Sequence, residues 1–352
     1  MESGGSPRAR RRVPSWGFPA LGYAVSIACL IWVYYGFDWQ EQLPKLLATD
    51  WRLIVLAVVT DVCVYVIQGW RWSLVLRPVG RVSVLRSIQA VYIGLFANEV
   101  LPLRSGEVIR CYLQARWHRI PFSVTVSSAV IERFLDGAWL VLGFYLISRY
   151  LELPGYLEAG ARILTGILAV IAVFLVLAVM HKRRVKAAVR NHGWAEVLHH
   201  IVDGAHDMGR SPSFAAAVVV SLAYLVLQVV PIWALARGYG LDLPVVAAAV
   251  VLVVLRLGSI PPQAPSNVGA FQFFTVLGVE LFGVARPEAT GFATLLFVVV
   301  TVPLWLGGFI ALLATRMRLT DIHQDAHDQM RRSRGSSGAG AVRSSRPGAS
   351  SK

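Results

Sequence analysis

Apolar residues run through this chain in long blocks, near 16–37, 53–70, 86–101, 123–147, 162–180, 213–236, 244–260, 267–283 and 289–314. Blocks of about twenty such residues match the thickness of a bilayer core. In lipid a segment must satisfy its own backbone hydrogen bonds, so each block is predicted to be a helix. The first block, Trp16 to Phe37, holds no charge and follows Arg8, Arg10, Arg11 and Arg12. It is too long for the core of a cleaved leader, and no small-residue cleavage site follows it. A retained first span is expected, with Tyr34, Tyr35 and Trp39 as anchors at its outer end.

Composition points the same way. The chain is 56% hydrophobic and 15% charged, against roughly 25% charged in a soluble domain; its mean hydropathy is +0.58. Soluble enzymes, secreted disulfide scaffolds and disordered proteins are excluded. With 34 Lys+Arg and 20 Asp+Glu the net charge is +14. The apolar blocks are too long for a nucleic-acid binder, so the positive charge is assigned to an anionic membrane leaflet. Cys29, Cys63 and Cys111 form no CxxC, which argues against a zinc site or a disulfide framework.

Charge also decides which blocks cross. If 86–101 and 244–260 enter halfway and return, 26 of the 34 Lys and Arg fall on one side and six on the other, with Arg133 and Arg256 inside apolar blocks. That asymmetry is what the positive-inside rule expects. The prediction is an all-α polytopic membrane protein with six full spans and two re-entrant helical hairpins. Residues 1–15 form a basic cytoplasmic N-terminus, 16–316 the membrane domain, and 317–352 a disordered basic C-terminal tail. Both termini are placed on the cytoplasmic side of the cell membrane.

The order span, span, hairpin, span then occurs twice, in halves near 16–150 and 160–316, with opposite orientations. Pro102-x3-Gly106 recurs as Pro265-x3-Gly269, 163 positions on. An inverted-topology repeat, the architecture of many transporters, is predicted.

Polar residues at membrane depth carry the candidate chemistry, because a charge there costs about 2.5–3.5 kcal/mol on insertion scales. One cluster runs Asn98-Glu99-Val100-Leu101-Pro102-Leu103-Arg104-Ser105-Gly106-Glu107-Val108-Ile109-Arg110. Pro102 breaks the incoming helix, Ser105 is the expected N-cap of the outgoing one, and Gly106 permits close backbone approach. Glu107 and Arg110 share a helical face. Amide groups freed at the break suit a phosphate or carboxylate. The second cluster holds Ser128, Glu132, Arg133 and Asp136. Its charges can form an internal network: a lock between helices, the wall of a site, or a proton-coupled relay through Glu132 or Asp136.

The series Arg71-Trp72, Asn98…Leu101-Pro102…Gly106-Glu107…Arg110, Ser128…Glu132-Arg133…Asp136 and a later Pro/Gly-rich segment resembles the flippase-like family, also called the lysylphosphatidylglycerol synthase transmembrane region. The resemblance covers about residues 16–316 and implies an inner-membrane protein that handles lipids or lipid-linked molecules. Some members carry an aminoacyl-transferase domain, and none is expected here. The family's second Pro/Gly segment usually reads Pro-Gly-Gly-x-Gly followed by Glu. This chain has Pro265-Ser266-Asn267-Val268-Gly269 and a neutral Gln272, which weakens any proton relay at that point and leaves hydrogen bonding intact.

Arg71 and Trp72 follow a span and read either as interfacial anchors or as a phosphate contact. Arg256 either snorkels or faces the cleft near Pro265. Asp61 and Glu280, lone acids in apolar blocks, are expected to pair with a neighbouring helix. The segment 181–212, with His199, His200 and His206, reads as a surface helix; His323 and His327 lie in the tail, and no metal is expected. No nucleotide-binding or hydrolase motif is present, and no cofactor is called for.

The expected function is translocation of an anionic phospholipid or lipid-linked intermediate. The head group would be held by Arg71, Arg104, Arg110, Arg133 and Arg256, with Asn98, Glu107, Ser128, Glu132, Asp136 and Gln272 around it, at breaks made by Pro102, Gly106, Pro265 and Gly269. The alternative is a membrane subunit or regulator of a separate lipid-modifying or glycosyl transferase.

Overall fold

The computed structural model describes residues 17–101, 105–151, 155–180, 208, 211–259 and 264–315. The N-terminus 1–15, Pro102, Arg104, nearly all of 181–212 and the tail 317–352 lie outside the described residues, so the expectations for them are not addressed.

All regular structure among the described residues is helical. The elements are α1 (Gly17–Tyr34), α2 (Trp39–Leu47), α3 (Trp51–Leu76), α4 (Val84–Val100), α5 (Gly106–His118), α6 (Phe122–Ile147), α7 (Gly155–Met180), α8 (Pro212–Tyr239), α9 (Val245–Gly258), a short 3-10 turn at Pro265–Asn267, α10 (Ala270–Glu280) and α11 (Arg286–Thr315). Three of them, α3, α8 and α11, are long and apolar enough to cross a membrane. At 1.5 Å per residue the 28 residues of α8 reach about 42 Å, more than the roughly 30 Å hydrocarbon layer. α6 has 26 residues but carries Glu132, Arg133 and Asp136.

Two features depart from the sequence reading. The segment after α1 is a helix, α2, bent by 90° from it. Asp38 caps it through the amides of Gln40 and Glu41, and it is too short and too amphipathic to register as an apolar block. Second, α3 does not end at residue 70. It continues through Arg71 and Trp72, both fully buried, which removes the interfacial-anchor reading of that pair. The helix goes on because their polar atoms meet partners on α6 and α8.

Among the described residues, α3 and α8 share the most extensive helix contact. Around this pair the packing recurs. α4 lies on α3 as α9 lies on α8; α4 folds against α5 as α9 folds against α10; α5 meets α6 as α10 meets α11; α4 touches α11 and α9 touches α6.

Each fold-back needs glycine. A Cβ on Gly106 would stand 1.8 Å from the Gly94 carbonyl oxygen, so α4 and α5 approach backbone to backbone, as predicted for Gly106. In the second hairpin a Cβ on Gly258 would meet the Phe274 ring at 2.3 Å. Gly269 sits at φ +85 with the Ser26 carbonyl oxygen 2.2 Å from where a Cβ would be, so neither its backbone nor its surroundings admit a side chain.

Candidate functional site

The polar residues of the interior fall into two groups. The first is an ion network, most of it buried. Glu132 of α6 is fully buried and accepts from two guanidiniums: Arg71 Nη2 at 3.2 Å and Arg110 Nη1 at 2.9 Å. Arg71 also donates to Asp136 and, at 3.2 Å, to Ser221 of α8. Arg110 closes the other end on Glu107, Nε to Oε2 at 2.8 Å. Aromatic rings cover both cations, Tyr224 over Arg71 and Trp72 over Arg110, and the Trp72 indole donates to Ser128 Oγ at 2.8 Å. Four helices, α3, α5, α6 and α8, are tied through one carboxylate pair. Mutual attraction offsets part of the desolvation of these charges, and breaking one link leaves a buried ion less compensated.

The second group lines a cavity of about 900 Å³. α3 contributes Asp61, Tyr65 and Gln68, and α8 contributes Tyr224 and Gln228. Asn98, Glu99 and Glu107 enter from the first hairpin, Arg133 from α6 and Arg256 from α9. Pro265, Ser266 and Asn267 close the side formed by the second break. The remaining wall is apolar, with Leu95, Val126, Phe134, Leu164, Phe271 and Phe297. Ser266 Oγ donates to the Glu99 carbonyl oxygen at 3.1 Å, so the second break rests directly on the end of α4. Ser266 and Asn267 both have left-handed backbones, φ 59 and 51, a conformation that non-glycine residues adopt rarely and that clusters at functional sites.

Of the residues singled out in the sequence, Asn98, Glu107, Arg133, Arg256 and Pro265 line this cavity. Arg71, Arg110, Ser128, Glu132 and Asp136 belong to the ion network behind it. Gly106, Gly269 and Gln272 shape the breaks, and Pro102 and Arg104 lie outside the described residues. An amide at the start of each returning helix is already occupied. Asn98 Oδ1 accepts from Gly106 N–H at 2.8 Å, and Gln272 Oε1 accepts from Gly269 N–H at 2.8 Å. Ser105 makes no capping bond. The expected Ser105 cap is therefore replaced by a reach across eight residues, and the expected open anion cradle is filled by the chain's own side chains at those two amides.

The pattern of the lysylphosphatidylglycerol synthase TM region matches residues 20–308. This chain belongs to that family. Among its relatives, the UPF0104 membrane protein MJ1595 of Methanocaldococcus jannaschii is 23% identical over 290 residues, spanning 76% of this chain and 84% of the relative. A UPF0104 membrane protein of Methanothermobacter thermautotrophicus is 22% identical over 298 residues, 77% of this chain and 86% of its own. Glycosyltransferase AglD of Haloferax volcanii is 24% identical over 356 positions, 89% of this chain but only 56% of that protein. No solved structure matches.

Within this lysylphosphatidylglycerol synthase TM region, sequence reasoning overlooked Asp61, Gln68, Tyr224 and Gln228 as cavity residues. Their signal was present: Asp61, Tyr65 and Gln68 recur at helical spacing on α3. Asp61 was expected to pair with a neighbouring helix; instead its Oδ2 has no hydrogen-bond partner. Arg256, open between snorkelling and the cleft, faces the cavity and donates to Gln228 Oε1.

Proposed function

We propose that this protein translocates a phosphate-bearing lipid or lipid-linked intermediate across the cell membrane, with both termini cytoplasmic. One observation carries the reading: a single cavity, apolar over most of its wall, brings Arg133 and Arg256 together with the ends of both hairpins. Guanidiniums in such a setting suit a phosphodiester, and the apolar wall suits the acyl chains.

In this reading the two halves form an inverted repeat of six spans and two re-entrant hairpins. The recurring helix pairings around α3 and α8 support it, as does the recurrence of Pro and Gly 163 positions apart. Transporters of this kind place substrate at the repeat interface and expose it by rocking one half against the other. The network of Arg71, Arg110, Glu107, Glu132 and Asp136 holds one wall rigid; head-group contact falls to Arg133, Arg256, Asn98 and the Pro265 turn.

The test is reconstitution in liposomes with fluorescent phospholipids. The wild type should move anionic lipid between leaflets faster than protein-free vesicles, and Arg133→Ala/Arg256→Ala should lose that activity while keeping its thermal midpoint in detergent. Equal rates for the two proteins reject the reading.

A second reading is favoured by the match to glycosyltransferase AglD over about half of that protein's length: a membrane subunit serving a separate transferase. Turnover that appears only in a co-purified complex, with no lipid movement by the isolated chain, selects it.

A further inference from the structure

Asp61 is unlike every acid in the ion network. It sits in the apolar middle of α3, 7% exposed, with its Oδ2 buried and without a hydrogen-bond partner. An unpaired carboxylate away from water is strongly disfavoured, so a carboxyl in such a place either carries a proton or awaits a positive charge.

Its surroundings decide between these. Tyr65 follows it on α3, and α8 presents Tyr224. α4 contributes Glu99 to the cavity, and its Tyr92 packs edge-on against Tyr65 with ring centroids 5.6 Å apart. The α11 lining holds Thr301 and apolar side chains, with nothing that titrates. Arg133 of α6 lies against Asp136 at 3.6 Å, with the rest of its guanidinium open to the cavity. Arg256 of α9 is near enough for its charge to act on Asp61, but its hydrogen bond goes to Gln228. A phosphate that docks on Arg256 would therefore stand beside a carboxylate that has no cation of its own. Two negative charges in a poorly screened cavity repel strongly. A proton on Asp61 removes that repulsion with no rearrangement of the helices.

We propose that Asp61 is a proton-binding site of the cavity, and that one proton enters it with each phosphate-bearing head group held by Arg256. The proton comes from cavity water; an O–H bond forms on the carboxylate, and the proton returns to water when the head group leaves. The inference rests on the cavity being the lipid site. It moves the coupling acid away from Glu132 and Asp136, whose oxygens are committed to Arg71 and Arg110. Linkage makes the effect reciprocal: a proton on Asp61 tightens the anion, and the anion tightens the proton.

The experiment uses the full chain in detergent and dihexanoyl-phosphatidylglycerol, a phosphodiester whose own charge is constant across neutral pH. In the wild type, affinity for this probe should fall as pH rises, approaching about tenfold per pH unit for one linked proton. Asp61→Asn should bind at high pH as tightly as the wild type does at low pH, with no slope; Asp61→Glu should keep a slope. Infrared difference spectra should show a protonated-acid carbonyl band gained on adding the probe, absent from Asp61→Asn. Binding that depends on Arg256 yet shows no pH slope, or a slope that survives in Asp61→Asn, overturns the proton linkage and leaves the cavity reading standing. Failure of the probe to bind at any pH rejects both.

Discussion

Glu132 and Arg133 are neighbours in sequence and opposites in surroundings. Glu132 has no exposed side-chain surface and accepts from two guanidiniums; Arg133 has a side chain 46% exposed, lines the cavity and reaches Asp136 only at 3.6 Å. About 100° of helical rotation separates them, enough to put one into the joint between α3, α5 and α6 and the other into the cavity. The same contrast holds between Arg71 and Arg110 on one side and Arg256 on the other. Charge type does not tell these roles apart. The number of opposite charges each group has engaged does: an ion held by two of them fixes helices, and a cation with one long contact or none is left for a ligand.

The most severe way to break that comparison is Glu132→Ala. It takes one of two carboxylate partners from each of two buried cations at once, and removing one partner of a buried pair costs about 3–5 kcal/mol. A large fall in thermal midpoint, or loss of monodisperse protein in detergent, is expected. Arg133→Ala should leave the midpoint nearly unchanged, since half-exposed pairs contribute about 0–1 kcal/mol. A Glu132→Ala protein as stable as Arg133→Ala would show that the network is no lock.

Gly106→Ala attacks the geometry that delivers Arg110 to Glu132. The new Cβ would stand 1.8 Å from the Gly94 carbonyl oxygen and 2.6 Å from Asn98 Oδ1. A backbone oxygen cannot step aside without prising α4 from α5, so the penalty should reach or pass the upper part of the roughly 1–3 kcal/mol typical of overpacking. Gly143→Ala is the control. Nothing lies within 4 Å of its would-be Cβ, and alanine in mid-helix gains about 0.5–1 kcal/mol over glycine. Thermal unfolding of the pair in the same detergent reads the difference; equal midpoints would mean that the hairpin tolerates separation.

The helices were legible because apolar blocks of this length have few other solutions. α2 was not, since nine residues with Pro44 inside leave little periodicity to read. The network was legible in part: the i,i+4 spacing of Glu132 and Asp136 announced a shared face, but their partner Arg71 lies 61 and 65 positions away, and no local pattern carries a contact at that range. Local pattern consequently leaves Arg71 open between an interfacial anchor and a phosphate contact. Asn98 shows a subtler limit. Its side chain caps Gly106, eight residues on and beyond a proline, where short-range rules favour Ser105. Gln272 looked like the loss of an acid and turns out to hold the Gly269 amide. Asp61 was visible as a lone acid, but lacking a partner is a property of the packed molecule.

The gentlest probe concerns the base of the first hairpin, where His118 joins the two legs outside the long spans. Its Nε2 accepts from Ser83 N–H at 3.0 Å at the start of α4, so Nδ1 carries the hydrogen and donates to the Gln114 carbonyl oxygen at 3.1 Å. Partial burial holds its pKa below the ordinary 6.5, with the nearby Arg86 guanidinium pulling the same way and the Gln114 contact opposing them. A depressed folded pKa means that the unfolded chain takes up the proton first. The stabilisation from neutral His118 is therefore complete above 6.5 and is lost as pH falls through the lower folded value. Protonation would set two donors, Nε2–H and Ser83 N–H, against each other. A small decrease in thermal midpoint on acidification is expected, absent in His118→Gln. Because the ring is half exposed, solvent screens much of the effect, which makes it smaller than that of Glu132→Ala or Gly106→Ala. A wild-type midpoint that rises on acidification while the His118→Gln midpoint stays level would mean that the imidazole is held as a cation, and that the hairpin base resembles the ion network more than the neutral caps at Gly106 and Gly269.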